Sequence, residues 1–591
     1  MNPLPNTSIP QYGITSPISL NYPTAKDTEI STELEAILRK NGLFEAESES
    51  RKREIVLGKL NMLVRKFVQT AFIAQGFTEE EAIRAGGKIF TFGSYRLGVH
   101  SSGADIDTLC VVPQLVDRSH FFTIFFDMLK ENSQVTELTA VPDAYVPVIK
   151  MHFDEIPIDL LFANLALSTI PEDLDLLDNS ILRNIDEKCI LSLNGSRVAD
   201  QIVRLVPNIG TFHTALRCIK LWAKKRAIYS NAMGYLGGVA WALMVARICQ
   251  LYPNAAPSTI VARFFSIYYQ WKWPMPVMLK HIEDGPLPVW NPRVNPAERN
   301  HRMPVITPAY PSMCSTHNVC ASTQSVITAE FLRGSQITLN IEHGKGKWED
   351  LFAKSDFFSR YKVYLQVVAS ARSQENHRIW LGFVESRVRM FVLKLETVPG
   401  VVASPPYPYG FEKTYEDFTS LEAAYFNKAD KEGEKFKFYT TTFYIGLDID
   451  FKDIKDKKLH IERPASDFKR ILLSWDGWKE DMEVLIKNVK RSELPIEVYE
   501  GEARPPIKKK ALPKKRVLEE EVATPKDVGT PQYSEDVVKK IAIKSDLKSK
   551  LPEPTQVDQI EVGHLLPSHS ENFQTTNPKK KVDIKVKLTS L

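Results

Sequence analysis

The spacing of apolar residues divides the first part of the chain into helical and extended segments. Over residues 28–75 apolar positions recur at helical intervals, which predicts helices. Between residues 88 and 163 short runs of β-branched and apolar residues alternate with turns, which predicts strands. One segment of this region, 119–132, has a helical pattern, and Ser119 is its predicted cap. The region is therefore mixed α/β.

The pattern changes twice further along the chain. Long apolar helices are predicted from Asn208 to about Ile341, and strand-like and helix-like segments alternate again from residue 356 to Tyr499. After Glu502 few aromatic residues remain among many Lys, Glu, Pro and Thr residues, which predicts a disordered tail. We therefore predict a multidomain α+β protein divided at 1–207, 208–355, 356–502 and 503–591.

Charge and cysteine content refine this picture. The net charge of the 591 residues is +4, and residues 503–591 hold 18 Lys and Arg against 12 Asp and Glu, so the basic excess lies in the tail. The six cysteines form no CxxC pair, and Cys314, His317 and Cys320 match no common zinc motif. We find neither a secretory signal nor an apolar run of membrane-spanning length, so we predict no membrane association.

Three aspartates interrupt segments that are otherwise apolar. Asp105 and Asp107 precede "TLCVV", and Asp159 lies within "IPIDLLFA". Residues i and i+2 of a strand share a face, so the first two carboxylates are expected to point at one spot, where they repel unless a cation separates them. Mg²⁺ suits such a site, and three acids from two strands could hold two ions. For an isolated DxD pair, a solvated turn or helix cap is the alternative.

A short motif upstream of the aspartates suggests what the cations would act on. Phe92, Gly93 and Ser94 follow a predicted strand, and such a turn can expose backbone N–H groups that cradle a phosphate. A phosphate cradle beside two metal ions is typical of in-line phosphoryl transfer from a nucleotide.

Longer blocks of sequence resemble a known family. A Gly-Ser pair, an Asp-x-Asp motif and a later strand aspartate are similar to the signature of the DNA polymerase β-like nucleotidyltransferases. Four blocks, taken in order, resemble the eukaryotic nuclear poly(A) polymerases: 90–109, 157–163, 216–255 and 288–319. The resemblance covers roughly residues 5–500, and the short tail is more similar to that of the fungal members.

The resemblance implies an architecture and an activity. It implies a nucleotidyltransferase domain with a mixed sheet, a helical central domain, and a C-terminal domain similar to an RNA recognition motif, with ATP bound between the first two. The implied activity is template-independent addition of adenylates to an RNA 3′ end with Mg²⁺ or Mn²⁺, by a monomeric catalytic subunit that works with pre-mRNA cleavage and polyadenylation factors. The paired-aromatic signature of RNA recognition motifs is absent from 356–500.

By motif position, the resemblance implies roles for individual residues. Asp105, Asp107 and Asp159 are the implied metal-binding catalytic residues. Contacts to the nucleotide are implied for Phe92, Gly93, Ser94, Ser101, Lys150, Lys220, Tyr229, Asn231, Gly238 and Val239, and Lys150 could instead contact the RNA end. From the residues alone, Lys220 could equally lie on a solvated basic helix end, Gly238 could serve helix packing, and Tyr229 could be a core aromatic.

Location and base preference leave alternatives open. The segments 508–516 ("KKKALPKKR") and 578–581 ("PKKK") predict nuclear import, and a polyanion-attracting arm is the alternative. Adenine preference rests on the resemblance, so a terminal uridylyl or mixed-nucleotide transferase stays open. A non-catalytic RNA-binding scaffold on the same fold is the third possibility, although three acids kept in apolar strands argue against it.

Overall fold

A computed structural model describes residues 11–426, 433–452 and 458–499. The predicted disordered tail and both predicted import segments lie outside the described residues.

Six helices and one five-stranded sheet form the first part of the chain. The helices are α1 (Ala25–Lys40), α2 (Glu47–Ala74), α3 (Glu79–Ala85), α4 (Gly93–Arg96), α5 (Arg118–His120) and α6 (Phe126–Lys130). The strands are β1 (Lys88–Thr91), β2 (Ile106–Pro113), β3 (Val135–Val141), β4 (Val148–Phe153) and β5 (Ile156–Leu165). Their order across the sheet is β1-β2-β5-β4-β3, and β2 and β5 are parallel whereas the other neighbours are antiparallel. The predicted mixed α/β character is confirmed.

The register of this sheet determines where the chemistry lies. Asp107 on β2 is paired with Asp159 on β5, and Asp159 is paired with Lys150 on β4. Beyond Asp107, the rest of β2 is buried, and its apolar side chains pack in one core with those of α2. The hydrophobic core therefore fixes three charged residues side by side on adjacent strands.

The helix predicted at 119–132 begins earlier than expected. It starts at Arg118 with Asp117 as the preceding cap residue, so the prediction of Ser119 as the cap is wrong. Asp117 has extended backbone angles and its N–H donates to Nδ1 of His120 (3.0 Å), whereas Ser119 already lies within the first turn. A π-helical turn, Phe121–Phe125, then joins α5 to α6.

Helices dominate the middle of the chain, as predicted. They are α7 (Glu187–Leu205), α8 (Ile209–Lys225), α9 (Gly238–Leu251), α10 (Pro257–Gln270), α11 (Ala321–Glu342) and α12 (Trp348–Leu351). Trp222, Trp241, Phe264 and Phe331 meet in a buried aromatic core between α8, α9, α10 and α11. This packing holds the amino-terminal turn of α9 close to the carboxyl-terminal end of α8.

A second sheet forms the last described part. Its strands are β6 (Val363–Ala371), β7 (Val401–Ala403), β8 (Phe411–Phe418), β9 (Phe436–Ile449) and β10 (Glu483–Lys490), and its helices are α13 (Phe357–Arg360), α14 (Gln374–Leu395), α15 (Leu421–Phe426) and α16 (Glu462–Leu473). All strand pairs are antiparallel, in the order β10-β6-β9-β7 with β8 also paired to β9. Helix α14 packs on β6 and on α16, and this α+β arrangement agrees with the prediction. Within the described residues, no helix combines the length and the apolar character needed to cross a bilayer.

Candidate active site

Three carboxylates converge where β2 and β5 begin to pair. Carboxylate oxygens of Asp105, Asp107 and Asp159 all lie within 4.8 Å of one another. Asp105 is exposed and the other two are half-buried. The expectation that Asp105 belongs to the strand is wrong, because β2 begins at Ile106. The residue reaches the cluster from the loop that leads into β2.

The charges in this cluster oppose one another. The pKa of Asp107 is raised to about 7, first by burial and then by the negative charges of Asp105 and Asp159, while Lys150 and Lys220 lower it. The Lys150 ammonium donates to the carboxylate of Asp159. Three acids at this separation, with one cation in direct contact, still carry an excess of negative charge. The donor set, oxygen only and carboxylate-rich, therefore fits hard divalent cations.

A tight turn brings backbone against the same cluster. Strand β1 ends at Thr91, Phe92 precedes the single helical turn α4, and the N–H of Phe92 donates to the carbonyl oxygen of Asp107 (3.0 Å). Gly93 has a φ of +62°, and a Cβ added to it would lie 1.8 Å from Oδ2 of Asp107. Glycine is needed here both for its backbone conformation and for the space that the carboxylate occupies.

A cavity of about 530 Å³ opens beside the carboxylates. Ten of the residues predicted from the sequence line it: Phe92, Gly93, Ser94, Ser101, Asp105, Asp107, Lys220, Tyr229, Gly238 and Val239. Asp159 and Lys150 lie next to the lining through the carboxylate cluster. Asn231 is exposed and is not part of the lining, and its carbonyl oxygen accepts from Nδ2 of Asn318 (3.1 Å).

Helix α8 contributes a lysine to the wall of this cavity. Lys220 is half-buried, so it does not lie on a solvated basic face, and its Nζ donates to the carbonyl oxygen of Val99 (3.3 Å). Burial lowers the pKa of Lys220 to about 8, with further lowering by Lys224 and Arg217 and an opposing effect of Asp105 and Asp107. The ammonium is bonded to a neutral carbonyl oxygen, so a phosphate beside it would stabilise its charged form.

The start of α9 forms the opposite edge. The hydroxyl of Tyr229 lies 2.6 Å from the position that a Cβ on Gly238 would take, so a side chain at 238 would displace the phenol. Burial raises the pKa of Tyr229 to about 12, so the hydroxyl stays protonated and can donate. The absence of a side chain at 238 keeps this hydroxyl beside the cavity.

Helix α7 contributes five lining residues that were not predicted from the sequence, and the contacts of two of them, Asn194 and Gly195, are specific. Oδ1 of Asn194 is buried, and no described residue donates to it. A Cβ on Gly195 would lie 2.9 Å from the ring of Phe92, so this glycine lets α7 approach the turn that precedes α4. An Asn-Gly pair inside a helical pattern is unfavourable for helix formation, and this was the available signal.

The loop that carries Ser101 is held by a buried network that sequence patterns did not reveal. Glu45 accepts from Nε of Arg53 (2.5 Å), and its other oxygen lies 2.9 Å from Nε2 of His100. The side chains of Glu45 and Arg53 are each 4% exposed. His100 precedes Ser101 in the loop and also lines the cavity, so its bond to Glu45 holds the loop in place. These interactions connect α2 to the loop that ends at the carboxylates.

Comparison with known proteins places these features in a family. Three family models match in order: the poly(A) polymerase nucleotidyltransferase domain at 13–206, the poly(A) polymerase central domain at 211–354, and the poly(A) polymerase predicted RNA binding domain at 356–508. Poly(A) polymerase PAPalpha of Candida albicans is 49% identical over 537 residues, which are 86% of this chain and 96% of that protein. Poly(A) polymerase pla1 of Schizosaccharomyces pombe is 47% identical over 85% of this chain and 96% of its own length.

A plant relative and a solved structure match this chain with lower sequence identity. Nuclear poly(A) polymerase 4 of Arabidopsis thaliana is 44% identical over 85% of this chain and 66% of that protein. A crystal structure of the Cid1 poly(U) polymerase is 14% identical, covers 56% of this chain and 99% of the other, and has a TM-score of 0.39, which adds nothing to the assignment. The family models and the fungal relatives cover most of the chain. The chain therefore belongs to the eukaryotic poly(A) polymerase family.

Proposed function

We propose that this chain adds AMP from ATP to the 3′-hydroxyl of RNA without a template and releases pyrophosphate. The single observation that carries the proposal is the cluster of Asp105, Asp107 and Asp159 beside a cavity closed by the Phe92–Ser94 turn, in a chain that belongs to the poly(A) polymerase family. The RNA 3′-oxygen forms a bond to the α-phosphorus of ATP. The bond from that phosphorus to the oxygen that bridges to the β-phosphate breaks, and this oxygen leaves with pyrophosphate.

The carboxylates fit divalent cations, and we propose that Asp105, Asp107 and Asp159 hold two Mg²⁺ or Mn²⁺ ions. Such ions supply activation of the attacking hydroxyl and stabilisation of the leaving oxygen. We assign to Asp159, on the strand that pairs with β2, the orientation of the RNA hydroxyl or the acceptance of its proton. We propose that Lys150 contacts ATP or the RNA end, and its bond to Asp159 at the carboxylate cluster supports this.

The remaining predicted residues are proposed to bind the nucleotide. Phe92, Gly93 and Ser94 would hold the triphosphate, Ser101 would approach the nucleotide from its loop, and Lys220 would neutralise phosphate charge. Tyr229 would donate its hydroxyl to the sugar or phosphates. Gly238 and Val239 would approach the base. Asn231, outside the lining, remains a predicted contact to sugar or phosphate.

We also propose the domain division at 1–207, 208–355, 356–502 and 503–591, and the ranges of the family models support its first two boundaries. On the family assignment we propose that the protein acts as a monomeric subunit with pre-mRNA cleavage and polyadenylation factors. Light scattering of the purified protein tests the first of these statements, and a stable dimer would contradict it.

The chain is proposed to act in the nucleus. The basic segments 508–516 and 578–581 support this, as does the printed name of the plant nuclear relative. A fluorescent fusion of the full chain is expected to accumulate in nuclei, and replacing the lysines and arginine of both segments with glutamine is expected to distribute it through the cell. A fusion that stays nuclear after both replacements would contradict the assignment of these segments.

Lys220 gives the reaction a predicted pH dependence. Its pKa in the ATP-free protein is lowered to about 8, so the charged form is lost as the pH rises through that value. We expect kcat/KM for ATP to fall above pH 8, by about tenfold for each further pH unit, because this parameter reports the free enzyme. In the Lys220→Arg variant the side chain stays charged, so the fall should disappear. Lys225→Arg, a change on the exposed end of the same helix, should keep the wild-type profile. An unchanged decline in Lys220→Arg would reject the role of Lys220.

The proposed activity is tested by extending a labelled RNA oligonucleotide with Mg²⁺ and each of the four nucleoside triphosphates in turn. A long ladder with ATP alone supports the proposal. A ladder with UTP, or equally with all four nucleotides, would keep the chemistry and replace adenylyl transfer by uridylyl or mixed transfer. No extension with either Mg²⁺ or Mn²⁺ would favour the RNA-binding scaffold.

A further inference from the structure

The loop between β7 and β8 is held firmly against two other parts of the protein. The carbonyl oxygen of Pro406 accepts from the hydroxyl of Tyr235 (2.8 Å), which belongs to the middle of the chain. The N–H of Tyr407 donates to the carbonyl oxygen of Tyr444 on β9 (2.7 Å). A Cβ on Gly410 would lie 2.4 Å from a methyl carbon of Thr441. Residues 404–410 therefore present their outer side chains in fixed positions.

Tyr409 is the exposed aromatic residue of this loop, and it stands at the rim of the candidate active site. Its hydroxyl donates to the carbonyl oxygen of Lys224 (3.3 Å), at the carboxyl-terminal end of α8. Lys224 lines the cavity, and its Nζ lies 5.5 Å from the centre of the Tyr229 ring. Tyr409 itself does not line the cavity, but it contacts Lys224, which does.

The ring is available to a ligand. Tyr409 has 40% of its residue surface exposed, although its hydroxyl is bonded and its ring packs edge to face on Tyr407 with 5.6 Å between centroids. An aromatic ring that is fixed in this way loses little conformational freedom when a base stacks on it. Tyr409 also provides an aromatic surface in a domain whose sequence lacks the paired stacking positions of an RNA recognition motif.

The position favours RNA over ATP as the occupant. The residues proposed to bind ATP all belong to the first two parts of the chain, whereas Tyr409 comes from the third and lies outside the cavity that they form. Its hydroxyl bonds the main-chain carbonyl oxygen of Lys224, and the side chain of that lysine is a cation suited to the phosphate backbone of a strand. Single-stranded RNA binds to surfaces that offer both features: an aromatic face on which a base stacks and a cation beside a phosphate.

We propose that Tyr409 is a stacking platform for a base of the RNA segment that lies upstream of the reactive 3′ end. The proposal rests on the RNA-extending function proposed above. It assigns an RNA contact to the C-terminal domain at a place where that domain meets the active site.

The first test separates RNA from ATP. We expect Tyr409→Ala to raise KM for an oligoadenylate primer about tenfold, with KM for ATP changed less than about twofold, because stacking on an aromatic side chain contributes to RNA binding alone. Tyr409→Phe keeps the ring and should remain close to wild type. Tyr269→Ala removes a tyrosine with 41% of its surface exposed on α10, and serves as the control for loss of an exposed ring. An unchanged KM for RNA in Tyr409→Ala, an equal defect in Tyr409→Phe, or an equal rise in KM for ATP would each overturn the proposal.

The second test identifies the stacked base. A series of primers, each with one abasic nucleotide, is bound to the wild-type protein and to Tyr409→Ala without ATP, and fluorescence anisotropy gives the Kd. One abasic position is expected to weaken wild-type binding about tenfold and to have no further effect in the variant. Equal losses in both proteins at every position would overturn the proposal. If the wild-type protein extends RNA with ATP, these failures leave the proposed function intact, whereas absence of any extension tests the function itself.

Discussion

Replacing Asp107 with asparagine is expected to lower the rate of AMP addition at least about 1000-fold, because the change removes a charge from the centre of the proposed metal site. Asparagine has nearly the same shape, and Asp107 is paired with Asp159 in the sheet register and has a carboxylate oxygen within 4.8 Å of one on each of the other two acids. The loss should therefore appear in kcat for saturating RNA and ATP, measured by the production of pyrophosphate. Asp476→Asn, an exposed substitution in the C-terminal sheet domain, is the matched control and should leave kcat unchanged.

The same substitution should not damage the fold. The pKa of Asp107 is raised to about 7 in the folded protein, from its ordinary value of 3.8. Without a cation, the ionised carboxylate is therefore less favourable in the folded than in the unfolded protein, and the folded state loses stability as the pH rises from about 4 to about 7. At pH 8 and without divalent metal, Asp107→Asn is therefore expected to be at least as stable as wild type in urea unfolding. A variant that keeps more than a tenth of the wild-type rate, or one that fails to fold, would contradict the account of this residue.

Replacing Gly93 with alanine is expected to lower kcat by about 100-fold or more, since small displacements of catalytic groups have effects of this size. The new methyl carbon would lie 1.8 Å from Oδ2 of Asp107, so either the carboxylate or the turn must move. The φ of +62° also strains any residue with a Cβ, by roughly 1–2 kcal/mol. Initial rates with Mg²⁺ and denaturant unfolding measure the two effects separately.

A second glycine separates backbone strain from the collision with the carboxylate. Gly344 has a φ of +70°, and a Cβ there would meet no heavy atom within 4 Å. Gly344→Ala should therefore lower stability by roughly 1 kcal/mol with unchanged kcat. If Gly93→Ala loses stability like Gly344→Ala but keeps most of its activity, the proposed contact between the turn and the metal site is wrong.

The carboxylate cluster could be predicted because its signal is local. Charged residues inside apolar strands are costly, and this cost marked Asp107 and Asp159 before their pairing was known. Strand periodicity was less reliable at the edge of an element: it assigned Asp105 to a strand that begins one residue later. The aspartate reaches the cluster nevertheless, from the loop that leads into β2.

The walls of the cavity were harder to predict because they come from distant parts of the chain. Gly195 on α7 meets Phe92 through helix packing, and no local pattern specifies that contact. Asn194 beside it lines the same cavity. Tyr409 comes to Lys224 only because the C-terminal sheet docks on the helical region. Resemblance to the family supplied Ser101, Lys220, Tyr229, Gly238 and Val239 among the wall residues. It also assigned Asn231 to a contact, although that residue lies outside the lining.

The boundaries of elements depended on single polar residues. Ser119 and Asp117 are both good cap residues, and the sequence pattern did not distinguish between them. The bond from the N–H of Asp117 to His120 accompanies the start of the helix at Arg118, which places the cap two positions before the predicted Ser119. The consequence for function is small, since this helix lies away from the cavity lining.

The central claim is that Asp105, Asp107 and Asp159 hold the divalent cations that promote AMP transfer. Anomalous diffraction from crystals grown with Mn²⁺ and an ATP analogue that resists cleavage between its α- and β-phosphates tests it most directly. The account predicts two Mn²⁺ peaks bound by these carboxylates, with the α-phosphate beside them and the triphosphate along the Phe92–Ser94 turn. Peaks elsewhere in the chain, or a nucleotide bound without cations at these three aspartates, would contradict it.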